Sequence, residues 1–215
     1  MKTKITIASL IYNSTIYADS IHDTLFKNTP QLHTGEAEFF FIANDASEEV
    51  IDHLIKQKYR FYVNDNPSKS ESELLEMGYA HPEYIHRVYR GWNKVFKYAE
   101  GDIVVLLNSD MIASKKWLDN ILKNLTKDRI VTSRLIESPS SVHHARWAGA
   151  IPYNLGDNPV NFEEDKFKLL SKLYSLPEFI SGGAFMPCAV YKDVAISASV
   201  FRASGDAPTT ISIAS

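Results

Sequence analysis

Two short stretches of this chain have no polar face: FFFIA, from Phe39 to Ala43, and IVVLL, from Ile103 to Leu107. A half-exposed strand alternates apolar and polar residues, whereas a strand covered on both sides reads as an unbroken apolar run. Both runs therefore belong inside a sheet with helices packed on each face. ITIASLIY, near the N-terminus, reads as a further strand and YRFYVND as a short one. Between the strands lie segments with helical spacing. YADSIHDTLFKN places Ile21, Leu25 and Phe26 on one side, and RVYRGWNKVFKYAEG does the same with Val88, Trp92, Val95, Phe96 and Ala99. Ser47 is positioned to cap EEVIDHLIKQ, whose early glutamates suit a helix N-terminus. Ser114 is expected to cap KKWLDNILKNL, and Gly101 to close the helix before the IVVLL strand. Strands alternating with helices give an α/β fold with a Rossmann-like, mostly parallel central sheet flanked by helices.

The second half has a different texture. From about residue 138 to 161 the chain is rich in Pro, Gly, Asn and His, which predicts long loops. A charged helix follows near EEDKFKLLSKLY, then a Gly-Gly turn beside an apolar strand in FISGGAFMPCAVY. RIVTSRLIE, just before the loops, reads as one more strand.

With 215 residues, 45% of them hydrophobic, the chain has material for one core, so a single domain spanning 1–215 is expected. A formal net charge of -3 provides no basic surplus, which excludes partners held by bulk positive charge, such as nucleic acid. The lone cysteine, Cys188, rules out an internal disulfide and fits a reducing, cytoplasmic compartment. No run reaches the roughly 20 apolar residues of a membrane-spanning helix.

In open α/β sheets ligands gather at the carboxyl ends of the parallel strands. Here those ends carry Tyr12 and Asn13, Asn44 and Asp45, Asn64 and Asp65, and Asn108, Ser109 and Asp110. An Asp directly after a strand is commonly a turn former. A cluster of such oxygens at one sheet edge also suits a hard divalent cation, Mg2+ or Mn2+, with positions left for phosphate. His143 and His144 are adjacent, so on a strand they point to opposite faces and are poorly placed to share one ion.

Five stretches, taken in order, resemble the family 2 type of GT-A glycosyltransferases: IASLIYNST, FFFIANDAS, RGWNKVFKYAEGDIVVLLNSDM, WLDNILKNL and SGGAFMP. The resemblance implies a GT-A fold and transfer of a sugar from a nucleotide-diphosphate donor, a UDP-sugar above all, to a glycan or other hydroxyl acceptor. It places residues 1–112 as the nucleotide-sugar-binding half and 113–215 as a loop-rich acceptor-side half. By the same resemblance NSD stands where the family has its D-x-D motif, so Asp110 and Asn108 would hold Mn2+ or Mg2+. Asn108 replaces the first carboxylate, and metal affinity should then lean on the donor diphosphate. Leu10, Ile11, Tyr12 and Asn13 map onto the loop that wraps the base. Asn44 and Asp45 map onto a base-reading acid, a role that falls to one or the other. Arg87, Arg90 and Asn93 would face diphosphate or base, against a solvated helix face for the two arginines. Ser109, Gly182, Gly183 and Ala184 complete the donor and acceptor contacts.

An inverting transferase needs a carboxylate to take the proton of the attacking hydroxyl. Similar enzymes carry it in an acidic motif after the Gly-Gly segment, which here points to Asp206 in SGDAP. Asp193, in YKDV, reads instead as an outward residue at a helix start. Nine residues follow Asp206, where the family usually continues with a helix and further acceptor-side structure, so the chain also reads as part of a longer protein. Two other classes compete: a non-catalytic nucleotide-sugar or carbohydrate binding module, and a nucleotidyltransferase. The latter normally carries a glycine-rich basic loop after the first strand, and SLIYNST has neither glycine nor lysine.

Overall fold

A computed structural model of the chain describes residues 4–67, 73, 82–128, 130–132, 136–137, 151–156, 158–173 and 188–193. The first four strands are β1 (Ile5–Ile11), β2 (Ala37–Asn44), β3 (Phe61–Asn64) and β4 (Ile103–Asn108). Then come β5 (Val131–Thr132), β6 (Ile136–Glu137), β7 (Ile151–Pro152) and β8 (Cys188–Tyr191). Six of them form one sheet in the order β3-β2-β1-β4-β8-β5, and β6 and β7 form a separate parallel pair. β1, β2, β3 and β4 are parallel to their neighbours, while β8 runs antiparallel to both β4 and β5. The four carboxyl ends rich in Asn and Asp therefore share one edge.

The central strands are apolar on both sides because each side is covered. Ile7, Ile11, Phe39, Phe41, Val105 and Leu107 pack with Ile21, Leu25, Val50, Leu54 and Trp117. Ala8, Phe40, Ile42, Val104 and Leu106 alternate to the opposite side and meet Trp92, Val95, Ala99 and Cys188. The helices supplying these partners are Thr15–Asn28, Glu48–Gln57 and Trp117–Asn124 on the first side and Pro82–Tyr98 on the second, with Ala99 just past that helix and Cys188 on β8. Ser47 caps its helix as expected, accepting from the Val50 N–H. The charged helix expected in the second half runs from Glu164 to Leu173.

Three local expectations are corrected. Ser114 does not cap the next helix, Trp117–Asn124; Lys116 is its N-terminal boundary, in a left-handed conformation (φ 62) with no side-chain cap. Gly101 is not a left-handed helix terminator. The helix ends at Tyr98, and a Cβ on Gly101 would lie 2.6 Å from both Ile5 C and Thr6 N. The glycine is required by a close backbone approach, fixed by its N–H donating to Thr6 Oγ1 at 2.9 Å. RIVTSRLIE yields two separate two-residue strands, β5 and β6, in different sheets. Their partners are β8 and β7, far along the chain, which no local pattern could announce.

Candidate functional site at the carboxyl edge of the sheet

β2 continues into a tight polar cluster. Asn44, Asn64, Asn66 and Arg87 are all buried. Asn64 Nδ2 donates to Asn44 Oδ1 at 2.6 Å, and Asn66 Nδ2 donates to the same oxygen at 3.2 Å. Asp45 turns left-handed (φ 51), a conformation Asp tolerates better than most residues, while its N–H still bonds Asn64 O. Its carboxylate accepts from Asn66 N and Asn66 Nδ2, each at 2.8 Å, and from Arg87 Nε at 3.0 Å. Arg87 also donates to Pro67 O at 3.0 Å and keeps 6% of its surface exposed. Its Nε and one terminal nitrogen are thus engaged within the protein, which departs from the solvated-face expectation. Arg90 sits at the rim, donating to Glu83 Oε1 at 3.0 Å and reaching Asn66 Oδ1 at 3.4 Å. That contact lowers the Glu83 carboxyl below its ordinary pKa. Asn93 is half-buried one turn further on.

The same helix comes close to the cluster because residue 91 is glycine. A Cβ there would stand 2.9 Å from Asn44 Oδ1 and 3.0 Å from Leu10 Cδ2. Asn66, Gly91 and Glu83 were not identified from sequence. Only Gly91 left a signal: a lone glycine within an amphipathic helix costs about 1 kcal/mol relative to Ala, so it marks a packing demand.

At the end of β1, Leu10 is half-buried and pairs in register with Asn108. The Ile11 side chain is buried in the core, so only its backbone is available to a ligand. Tyr12, 48% exposed, and Asn13 emerge at the edge, and Tyr12 O accepts from Ser47 N at 3.3 Å. Ser14 caps the helix that follows.

The end of β4 is open. Asn108 and Asp110 are exposed and Ser109 is half-buried. Protein around the Asp110 carboxyl displaces enough water to raise its pKa above the usual value, against the pull of its own backbone N–H. The segment beyond is anchored: Asn28 Nδ2 donates to Ala113 O at 2.8 Å, and Trp117 Nε1 to Thr29 Oγ1 at 2.9 Å. Two neighbouring hard oxygen donors, one of them a carboxylate, fit a divalent cation whose remaining positions go to water or phosphate. Among the described residues no group of three or more His, Cys, Asp or Glu is gathered as a metal cluster.

Asp206, Gly182, Gly183 and Ala184 lie outside the described residues, as do His143 and His144. Asp193 is exposed and paired with Lys127 at 2.8 Å, in keeping with an outward position. None of the described helices is long and apolar enough to cross a membrane.

Comparison with known proteins bears on this arrangement. Against solved structures, the chain is similar to Staphylococcus aureus TarS (residues 1–349, in complex with UDP-GlcNAc) at 13% identity. The match covers 93% of this chain and 48% of that one, with a TM-score of 0.54. Glucosyl-3-phosphoglycerate synthase from Mycobacterium tuberculosis, in complex with Mn2+ and UDP-glucose, matches at 14% identity over 89% of this chain and 57% of that one, with a TM-score of 0.45. The chain spans about half the length of these structures. At such identities the likeness speaks to the fold, and the TarS match is that of a GT-A glycosyltransferase. No curated protein matches the sequence significantly. The profile of Glycosyl transferase family 2 matches residues 41–194, which includes β4, the polar cluster and Asp110 and takes in well over half of the chain; the chain belongs to that family.

Proposed function

We propose that this chain moves a sugar from a nucleotide-diphosphate donor, a UDP-sugar above all, to a glycan or other hydroxyl acceptor, with inversion at the anomeric carbon. The observation carrying this reading is the exposed Asn108-Ser109-Asp110 turn, pinned from behind and beside a prebuilt polar cluster on the same sheet edge. The family membership and the UDP-GlcNAc bound by TarS point the same way. Asp110 and Asn108 would hold Mn2+ or Mg2+, whose charge neutralises the departing diphosphate. Residues 1–112 form the donor half, with Tyr12 and Asn44 beside the base, and residues 113–215 the acceptor side. Asp206 is the proposed general base. A cytoplasmic location agrees with a lone cysteine whose buried thiol has its pKa pushed up to about 12.

The deciding experiment is calorimetric UDP binding with and without Mn2+, in parent and Asp110→Ala, paired with a donor turnover assay. Metal-dependent binding in the parent should vanish in Asp110→Ala with the fold intact. Unchanged binding in that variant overturns the metal assignment. Asp206→Asn should lower transfer by about 10²–10⁴-fold while donor affinity holds. A binding module without turnover is the second reading; metal-dependent binding with no donor turnover would favour it.

A further inference from the structure

The chain leaves the Asp110 turn without regular structure: Met111 to Ser114 belong to no helix or strand, and the next helix starts at Trp117. The position of the turn must be set by contacts from elsewhere. Among the described residues, the side chains that hydrogen-bond to Met111–Ser114 are Thr24 and Asn28, and both bind the backbone of Ala113. Asn28 Nδ2 donates to Ala113 O at 2.8 Å, and Thr24 Oγ1 accepts from Ala113 N at 3.5 Å. The first bond is short and the second long, so Asn28 carries most of the hold. Residues 24 and 28 stand one turn apart on the same face of Thr15–Asn28, and from there they hold the peptide groups on both sides of Ala113.

The partners fix the chemistry of each bond. A peptide carbonyl can only accept, so the Asn28 atom facing it is the amide nitrogen. Thr24 spends its single hydrogen on Ile21 O at 3.3 Å, which leaves a lone pair for the Ala113 N–H. Met111 and Ala113 also pack against the first-side core, so this stretch is held by side-chain packing as well as through its backbone. A separate contact grips the far end of the connection, where Trp117 Nε1 donates to Thr29 Oγ1 at 2.9 Å. Ala113 follows Asp110 closely in the chain, and Trp117 lies a further turn's length away.

Resting on the metal-site reading above, we infer that Asn28, assisted by Thr24, is a positioning residue for the Asp110 carboxylate: it clamps the Ala113 backbone and so holds the turn where a divalent cation can be received. It acts through the backbone and is not a ligand. Small divalent ions hold their oxygens in a narrow shell, about 2.0–2.1 Å for Mg2+. A ligand whose backbone drifts by even about 0.5 Å therefore binds less well.

The test is calorimetric titration of Mn2+ in the presence of UDP, together with melting temperature, for the parent, Asn28→Ala, Thr24→Val, Thr24→Ser and Thr29→Val. Asn28→Ala should weaken Mn2+ binding by about three- to tenfold, the worth of one hydrogen bond. Thr24→Val should weaken it less, and Thr24→Ser, which keeps the hydroxyl, should match the parent. Thr29→Val leaves the buried Trp117 N–H without its acceptor, so it should lower the melting temperature most while Mn2+ affinity stays within about twofold. In the metal-free protein, amide hydrogen exchange across residues 111–114 should quicken in Asn28→Ala. Mn2+ affinity that simply follows melting temperature through the set would make Asn28 a structural residue and overturn the inference. Should Asn28→Ala fail to fold, equal Mn2+ affinity in Thr24→Val and Thr24→Ser overturns it as well. Parent-like Mn2+ binding in Asn28→Ala, with binding lost in Asp110→Ala, overturns this inference alone. A parent whose UDP binding ignores Mn2+ overturns the metal assignment and this inference with it.

Discussion

The two ends of the donor edge are built on different principles. At β2 and β3, Asn44, Asp45, Asn64, Asn66 and Arg87 are bonded to one another and buried or nearly so. At β4, Asn108 and Asp110 face solvent and hold no side-chain hydrogen bond or ion pair with another described residue. The first arrangement is completed by folding and presents a fixed hydrogen-bond pattern. The second leaves a carboxylate at the surface with no ion pair to another described residue, so its electrostatics improve when a cation arrives. In the proposed reading, recognition and charge neutralisation are divided between strand ends on either side of β1, one bonded within the protein and one open.

If that division holds, the largest effect on stability comes from the closed end. Arg87→Ala leaves the Asp45 carboxylate without its only described cationic partner and takes a donor from Pro67 O. Removing one member of a buried pair typically costs about 3–5 kcal/mol. Asp110→Ala, at the open end, should change stability by no more than about 0.5 kcal/mol, the usual range for a surface substitution. Denaturant unfolding of both variants measures the contrast. Equal costs would mean that the two ends are not organised differently.

A smaller effect is expected at Gly91. Alanine favours the helix by about 1 kcal/mol, but its methyl group must displace Asn44 or Leu10 by a few tenths of an ångström, and overpacking costs about 1–3 kcal/mol. The two contributions nearly offset in stability, yet the displacement falls on Asn44. Gly91→Ala should therefore lose UDP affinity by several-fold while its melting temperature moves little. Retained affinity would show that the helix approach is not what holds Asn44 in place.

The same contrast governs what could be read in the sequence. β1, β2 and β4 were legible because strands buried on both faces are dominated by apolar residues, and the Ser47 cap was legible because capping is settled within four residues. The open end of β4 was legible too, since Asn108 to Asp110 lie together in the chain. The closed end was not: Asp45, Asn66 and Arg87 meet across 21 to 42 positions, so Asn66 carried no local sign and the ion pair of Arg87 with Asp45 had none either. At Gly101 the position was singled out, but for a helix-ending conformation, when the cause is the backbone of β1 pressed against it. Ser114 failed for a related reason: the chain enters the helix through a left-handed Lys116, and the expected capping geometry never forms.

The smallest expected effect lies in the open end itself and asks whether Asn108 belongs to it. Asn108→Asp places a second carboxylate two residues before Asp110, and cation affinity rises with the ligands' charge. The gain is opposed, because two adjacent carboxylates disfavour joint ionisation, and the Asp110 carboxyl is already raised by desolvation. Near pH 7.5 the proton should lose that competition and Mn2+ should bind a few-fold more tightly in the absence of nucleotide. As the pH falls, protonation of the pair should erase the advantage. With UDP present the gain should shrink, since the diphosphate already supplies the negative charge that Asn108 lacks. A titration of Mn2+ at two pH values, with and without UDP, reads all three trends. If affinity is unchanged at the higher pH without UDP, Asn108 does not face the ion, and the open end reduces to Asp110 alone.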